Sequence, residues 1–122
     1  MPRVLFICLG NICRSPMAEA IFRHKVEQAG LAHEISCDSV GTGGWHAGEL
    51  PHKGTQQILH QHGIDFSGIR ARQLTRADLS AFDYLLTMDE ANLRDVQRLG
   101  VSSAALRPML SYAPTLGYDE VP

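Results

Sequence analysis

Cysteine is scarce in this chain: three in 122 residues, an odd number. A small secreted disulfide scaffold carries more cysteines in even number, so the composition points to the reducing cytoplasm, where a thiol stays a thiol. Long hydrophobic runs are also missing. The apolar run Val4 to Leu9 ends at Gly10-Asn11; a membrane helix needs about 18 or more apolar residues, and the core of a signal peptide roughly 7–15. Neither sign of charge dominates: 11 Lys and Arg against 13 Asp and Glu leave a net charge of −2. No nucleic-acid partner and no membrane partner is expected. There is no linker, internal repeat or low-complexity tract, so residues 1–122 read as a single domain with one modest core.

What is present alternates. Val4 to Cys8 is a continuous apolar run, the pattern of a strand buried on both faces. Ser15-Pro16 then reads as N-cap and first helical position. Met17, Ala18, Ile21, Phe22, Val26 and Ala29 follow at helical spacing until Gly30. Glu34 to Val40 reads as a second strand, and a glycine-rich loop, GTGGWHAGELP, comes after it. Residues 52–62 form the next helix, ended by Gly63, and Thr75 caps a short turn over RADLSA. Tyr84 to Met88 is a third strand, and Asp89 caps the helix EANLRDVQRL, which Gly100 ends. Ala105 to Leu110 is the fourth strand, and the tail SYAPTLGYDEVP has turn chemistry without period. Strand and helix in alternation predict an α/β fold: three layers, a four-stranded parallel sheet, helices on both faces.

The loop between the first strand and the first helix lies at the carboxyl edge of the sheet, where open α/β folds bind ligands. Its amides can converge on an anion, and the helix N-terminus adds about half a positive charge. Gly10 lets backbone approach closely, and Asn11 tolerates a left-handed turn. Arg14 offers a planar fork that suits two oxygens of a phosphate. A thiol at Cys8 sits beneath that cradle, where the same amides and helix end favour thiolate over thiol. Such a thiolate is placed for in-line attack on phosphorus. The hydroxyl of Ser15 can bond the sulfur and stabilise it as a leaving group.

Other readings of the same residues stand beside this one. A cysteine that ends a buried strand can be a small core hydrophobe. The C-x4-C spacing of Cys8 and Cys13 can be half a zinc site. Zinc would need two more ligands, and only Cys37 and scattered histidines are on offer. His60 and His62, two apart on a helix, point in different directions. No metal is therefore expected.

The string CLGNICRSPMAEA, at the end of an apolar strand and the start of a helix, resembles the signature of the low-molecular-weight protein tyrosine phosphatases. CDSVGTGGW and GIRARQLTRADLSAFDYLLTMDEANLRDV resemble two further stretches of that family. The resemblance implies hydrolysis of phosphotyrosine-type phosphomonoesters through a phosphocysteine on Cys8, with no cofactor. Substrates would be phosphotyrosine-containing proteins, and inorganic phosphate or other oxyanions would occupy the loop. Arg14 would bind phosphate and stabilise the transition state. Leu9, Gly10, Asn11, Ile12, Cys13 and Ser15 would complete the phosphate-binding loop, with Ser39 behind Asn11. Cys13 would pair reversibly with Cys8 under oxidation, and Trp45 would stand on the rim of the substrate cleft. The histidine that some members carry before the K/R-A-R-Q segment is replaced by Ile69, so its role does not transfer.

The resemblance also implies a general acid, an aspartate in an Asp-Pro-aromatic motif, and a last helix. Residues 1–122 contain neither the motif nor a segment for that helix, so the general acid is expected to be absent from the chain. Asp119 lies four positions too early and reads as an ordinary loop acid. Two alternatives follow. Arsenate reductases that share this fold need further cysteines in a later segment, and the chain has none after Cys37. A phosphate-binding module without turnover is the reading that the missing acid motivates.

Overall fold

The computed structural model describes residues 2–100 and 104–112. Within them β1 (Arg3–Cys8), β2 (Ser36–Gly41), β3 (Tyr84–Thr87) and β4 (Ala105–Pro108) form one sheet in the order β2-β1-β3-β4. Every pairing is parallel, with Cys8 opposite Gly41 and Ile7 opposite Thr87. β1 is central, which accounts for its unbroken apolar run: from Val4 to Cys8 every residue is buried.

The two faces of β1 feed two cores. Leu5 and Ile7 pack with Val40, Leu85, Leu79, Phe82 and Val96. This side is closed by α3 (Asp78–Ala81) and α4 (Glu90–Leu99). Val4, Phe6 and Cys8 pack with Leu86 and Met88, against Ala18 and Phe22 of α1 (Arg14–Gln28). The Phe6 and Phe22 rings meet edge to face at 5.5 Å. α2 (Lys53–Gln61) adds Leu59 against Ala20 and Ile69. The expected four-stranded parallel sheet with helices on both faces is the observed one.

Several boundaries moved, each for a local reason. Helix α1 begins at Arg14 with Cys13 as its N-cap, and Ser15 makes no capping bond. The Ser15 hydroxyl is turned instead toward Cys8 and Asn11. β2 starts at Ser36 because the Glu34 and Ile35 amides turn back onto the Leu31 carbonyl. At the RADLSA turn the capping is reversed: Asp78 accepts from both the backbone N–H and the hydroxyl of Thr75. β4 ends at Pro108 and gives way to a 3-10 turn over Met109–Tyr112. Asp89 caps α4 as expected, in a reciprocal capping box with Asn92.

Candidate active site

The loop from Cys8 to Arg14 is built by continuing the β1–β2 ladder past the strands. Thr42 N–H donates to the Cys8 carbonyl and Gly43 N–H to the Leu9 carbonyl, both at 2.9 Å. The far side of the loop is pinned by His52 N–H on the Ile12 carbonyl at 2.7 Å. Between these anchors the chain must reverse tightly. Asn11 does this at φ 57°, the left-handed region that Asn tolerates better than other non-glycine residues. A Cβ at Gly10 would lie 3.1 Å from Cδ2 of the His46 ring, a tight contact that the ring would have to yield to by a few tenths of an ångström.

The turn brings donors onto the Cys8 sulfur. Asn11 N–H lies 3.2 Å from Sγ and the Ser15 hydroxyl 2.9 Å from it. Cys8, Asn11 and Ser15 are all buried. The first turn of α1 starts immediately beyond, so its end charge adds to these bonds. All of these dipoles point their positive ends at the sulfur. At Cys37 burial, then the neighbouring Glu19, pushes the thiol up to about 11. It stays protonated at neutral pH.

Asn11 is held on three sides. Its Oδ1 accepts from Arg72 N–H at 3.0 Å, which fixes the orientation of the amide. Its Nδ2 then donates to Ser15 Oγ at 2.8 Å and to Ser39 Oγ at 2.9 Å. Arg72 is brought there by the segment after Ala71, which pairs with the end of β2 through Gly41 N–H on the Arg72 carbonyl. Its own guanidinium is clamped by Asp38 and Asp78, with four contacts between 2.9 and 3.1 Å.

Arg14 reaches across to Asp89, with Nη1 2.9 Å from Oδ2. Asp89 is thus both the cap of α4 and the counter-ion of the loop arginine. Burial alone would raise its pKa, but the Asn92 N–H and the Arg14 guanidinium outweigh burial and hold it below the usual carboxylate range.

Of the residues expected from sequence, Cys8, Asn11, Ser15 and Ser39 form one hydrogen-bonded cluster, and Arg14 stands at the start of the helix beside it. Cys13 is exposed and, like Cys8, a free thiol. Trp45 is 72% exposed. Its ring lies on Gly43, and with Leu9 it borders a cleft of about 650 Å³ between the β2 loop and α4. Asp119 lies outside the described residues. Sequence reasoning missed Arg72 and Glu19 and saw Asp89 only as a cap. Glu19 is polar in the middle of an apolar helix face, which was the available signal.

The comparisons agree with this geometry. The family model described as "Low molecular weight phosphotyrosine protein phosphatase" matches residues 3–121. The low molecular weight protein-tyrosine-phosphatase YfkJ of Bacillus subtilis (strain 168) is 46% identical over 124 residues, covering 100% of this chain and 80% of its own. A low molecular weight phosphotyrosine protein phosphatase of Schizosaccharomyces pombe is 48% identical over 109 residues, 88% of this chain and 69% of its own. The crystal structure of YfkJ superposes with a TM-score of 0.97 over 100% of this chain and 78% of that one. A match that runs from the first strand through the last described element, over the loop and everything that holds it, establishes that the chain belongs to the low molecular weight phosphotyrosine protein phosphatase family.

Proposed function

We propose that the protein hydrolyses phosphotyrosine-type phosphomonoesters in two displacements at Cys8. The observation that carries this reading is the buried Cys8 sulfur with a backbone N–H and a serine hydroxyl both within 3.2 Å. In the first step the Cys8 thiolate attacks phosphorus, the S–P bond forms, and the P–O bond to the phenol breaks. The phenoxide leaves with the electron pair and takes up a proton. In the second step water attacks phosphorus, the S–P bond breaks, and inorganic phosphate departs. The returning charge on sulfur is received by the Ser15 hydroxyl and the Asn11 N–H.

Arg14, oriented by Asp89, supplies a planar pair of donors to the equatorial oxygens. The amides of residues 9–15 supply the rest, with Leu9, Gly10, Ile12 and Cys13 contributing backbone. The cleft beside Leu9 and Trp45 takes the aromatic ring of the substrate. Among the described residues no helix is long and apolar enough to cross a membrane, and we place the protein in the cytoplasm on its thiol chemistry. Cys13, in the same tight loop, is the partner for a reversible disulfide that keeps Cys8 from the irreversible sulfinic state.

The test is phosphate release from a phosphotyrosyl peptide by the wild type and by Cys8→Ser. The wild type should turn over, and Cys8→Ser should fall to background while still binding vanadate, because the amide cradle remains. A Cys8→Ser protein with substantial turnover would refute the nucleophile. A wild type that binds phosphate and never releases it from substrate would support the binding-module alternative.

A further inference from the structure

The cluster around Asn11 does not end at Ser39. Ser39 Oγ donates to Oε1 of Glu19 at 2.6 Å, the short separation of an O–H bonded to a carboxylate. Glu19 is 7% exposed, on the face of α1 that packs against β2. With Cys8 as the thiolate of the proposed reaction, the direction of every bond in the chain can be assigned. Arg72 N–H fixes Oδ1 of Asn11 as an acceptor, so both Nδ2 hydrogens are spent on Ser15 and Ser39. Each serine oxygen therefore accepts from Asn11, and each hydroxyl proton must go onward. Ser39 sends its proton to Glu19. Ser15 directs its own toward Cys8 Sγ at 2.9 Å, with the Val40 carbonyl at 3.4 Å as the weaker choice.

We propose that Glu19 is a positioning residue for the Cys8 thiolate: by accepting the Ser39 proton it keeps the Ser39 oxygen turned to Asn11, and Asn11 in turn holds the loop amide and the Ser15 hydroxyl on the sulfur. Burial pushes the Glu19 carboxyl above its ordinary value, Ser39 opposes that, Asp38 adds to it, and Arg23 and Arg72 oppose it. The Arg23 guanidinium is 4.0 Å away, too far for a close pair. The Cys37 thiol donates to the Glu19 backbone carbonyl, not to the side chain. Among the described residues, Ser39 is thus the donor at hydrogen-bond distance from this carboxylate. A buried acceptor this close to one hydroxyl is a device for orienting that donor, since an unsatisfied partner on either side is costly.

The inference rests on Cys8 being the nucleophile, and the experiment separates the two claims because it needs no substrate. Alkylation of Cys8 by iodoacetamide is followed at pH 6 and pH 9, with fragmentation mass spectrometry to distinguish Cys8 from Cys13 on their shared peptide. Glu19→Met keeps the volume without the acceptor, and Glu19→Gln keeps an acceptor oxygen without the charge. Glu19→Met and Ser39→Ala should each slow Cys8 alkylation at pH 6 by roughly 3- to 10-fold, the scale of one lost hydrogen bond. The double variant should be no slower than either single, and the deficit should close at pH 9. Glu19→Gln should stay within about 2-fold of wild type. Wild-type rates in a folded Glu19→Met, or effects that add in the double variant, would overturn the proposal. If Glu19→Met does not fold, a large pH 6 loss in a folded Glu19→Gln would overturn it as well. A wild-type Cys8 that reacts no faster than Cys13 at pH 6 would instead remove the nucleophile assignment itself.

Discussion

At the scale of single residues, Asn11 concentrates the account. Among the described residues it is the one non-glycine with positive φ, and its side chain makes three hydrogen bonds that hold it there. Asn11→Ala should lower kcat at least tenfold and cost about 2–4 kcal/mol, from left-handed strain together with lost bonds. Asn11→Gly relieves the strain alone, so it should melt higher than Asn11→Ala yet remain as inactive. Equal melting of the two would show that the backbone is not strained. Asp78 makes the matching case for stability. Burial would raise its pKa, but Arg72 and Thr75 outweigh burial and bring it below 3.8. A depressed folded value means that the stability is fully present above the unfolded value and drains as pH falls through the folded one. Asp89 behaves in the same way, whereas Glu19, shifted upward, loses its burial cost as it protonates. The net acid loss should therefore set in below about pH 4, and Asp78→Asn should flatten it and lower stability at pH 7 by about 1–3 kcal/mol. Melting temperature against pH for both proteins checks the slope.

At the scale of elements, the site is a joint between three of them: the end of β1, the end of β2 and the start of α1. Gly41 is where they touch. A Cβ there would lie 2.8 Å from the Leu9 carbonyl oxygen and 3.0 Å from the Gly10 carbonyl carbon, both backbone atoms of the loop. Gly41→Ala should therefore displace the cradle, lowering kcat/KM by tenfold or more and stability by about 1–3 kcal/mol. Wild-type kinetics for Gly41→Ala would contradict this packing. Much of the joint was legible in the sequence. The apolar run gave β1, Gly10-Asn11 gave the turn, and the following amphipathic segment gave α1. What was not legible is the change of partner at Ser15. Local propensity makes Ser-Pro a helix start, and the structure spends that hydroxyl on Cys8 and Asn11, so the cap passes to Cys13. The same kind of override reverses Thr75 and Asp78, because Arg72 draws the carboxylate inward. Capping propensity reads a helix start alone, and these choices are made by partners 4 to 7 positions back along the chain that the fold turns onto it.

At the scale of the whole molecule, the sheet order places all catalytic candidates at one carboxyl edge, and this much follows from alternation of strand and helix alone. Arg72 and Glu19 could not be found that way, since their roles depend on β2 lying beside β1 and on the face that α1 turns toward it. The 122 residues contain no Asp-Pro-aromatic sequence, and a positioned acid typically contributes ~10²–10⁴-fold by protonating the leaving oxygen. The first step should therefore favour p-nitrophenyl phosphate over phenyl phosphate steeply, read as kcat/KM, and equal kcat/KM values on the two would mean that an acid is at work within the chain. The central claim is that phosphorus passes through the Cys8 sulfur. Rapid-quench analysis with p-nitrophenyl phosphate, followed by mass mapping of the quenched protein, tests it most directly. The account predicts a nitrophenol burst close to one equivalent and a phosphate adduct on Cys8, absent from Cys8→Ser. Turnover without any adduct, or an adduct on Cys13 or another residue while Cys8 stays unmodified, would contradict it.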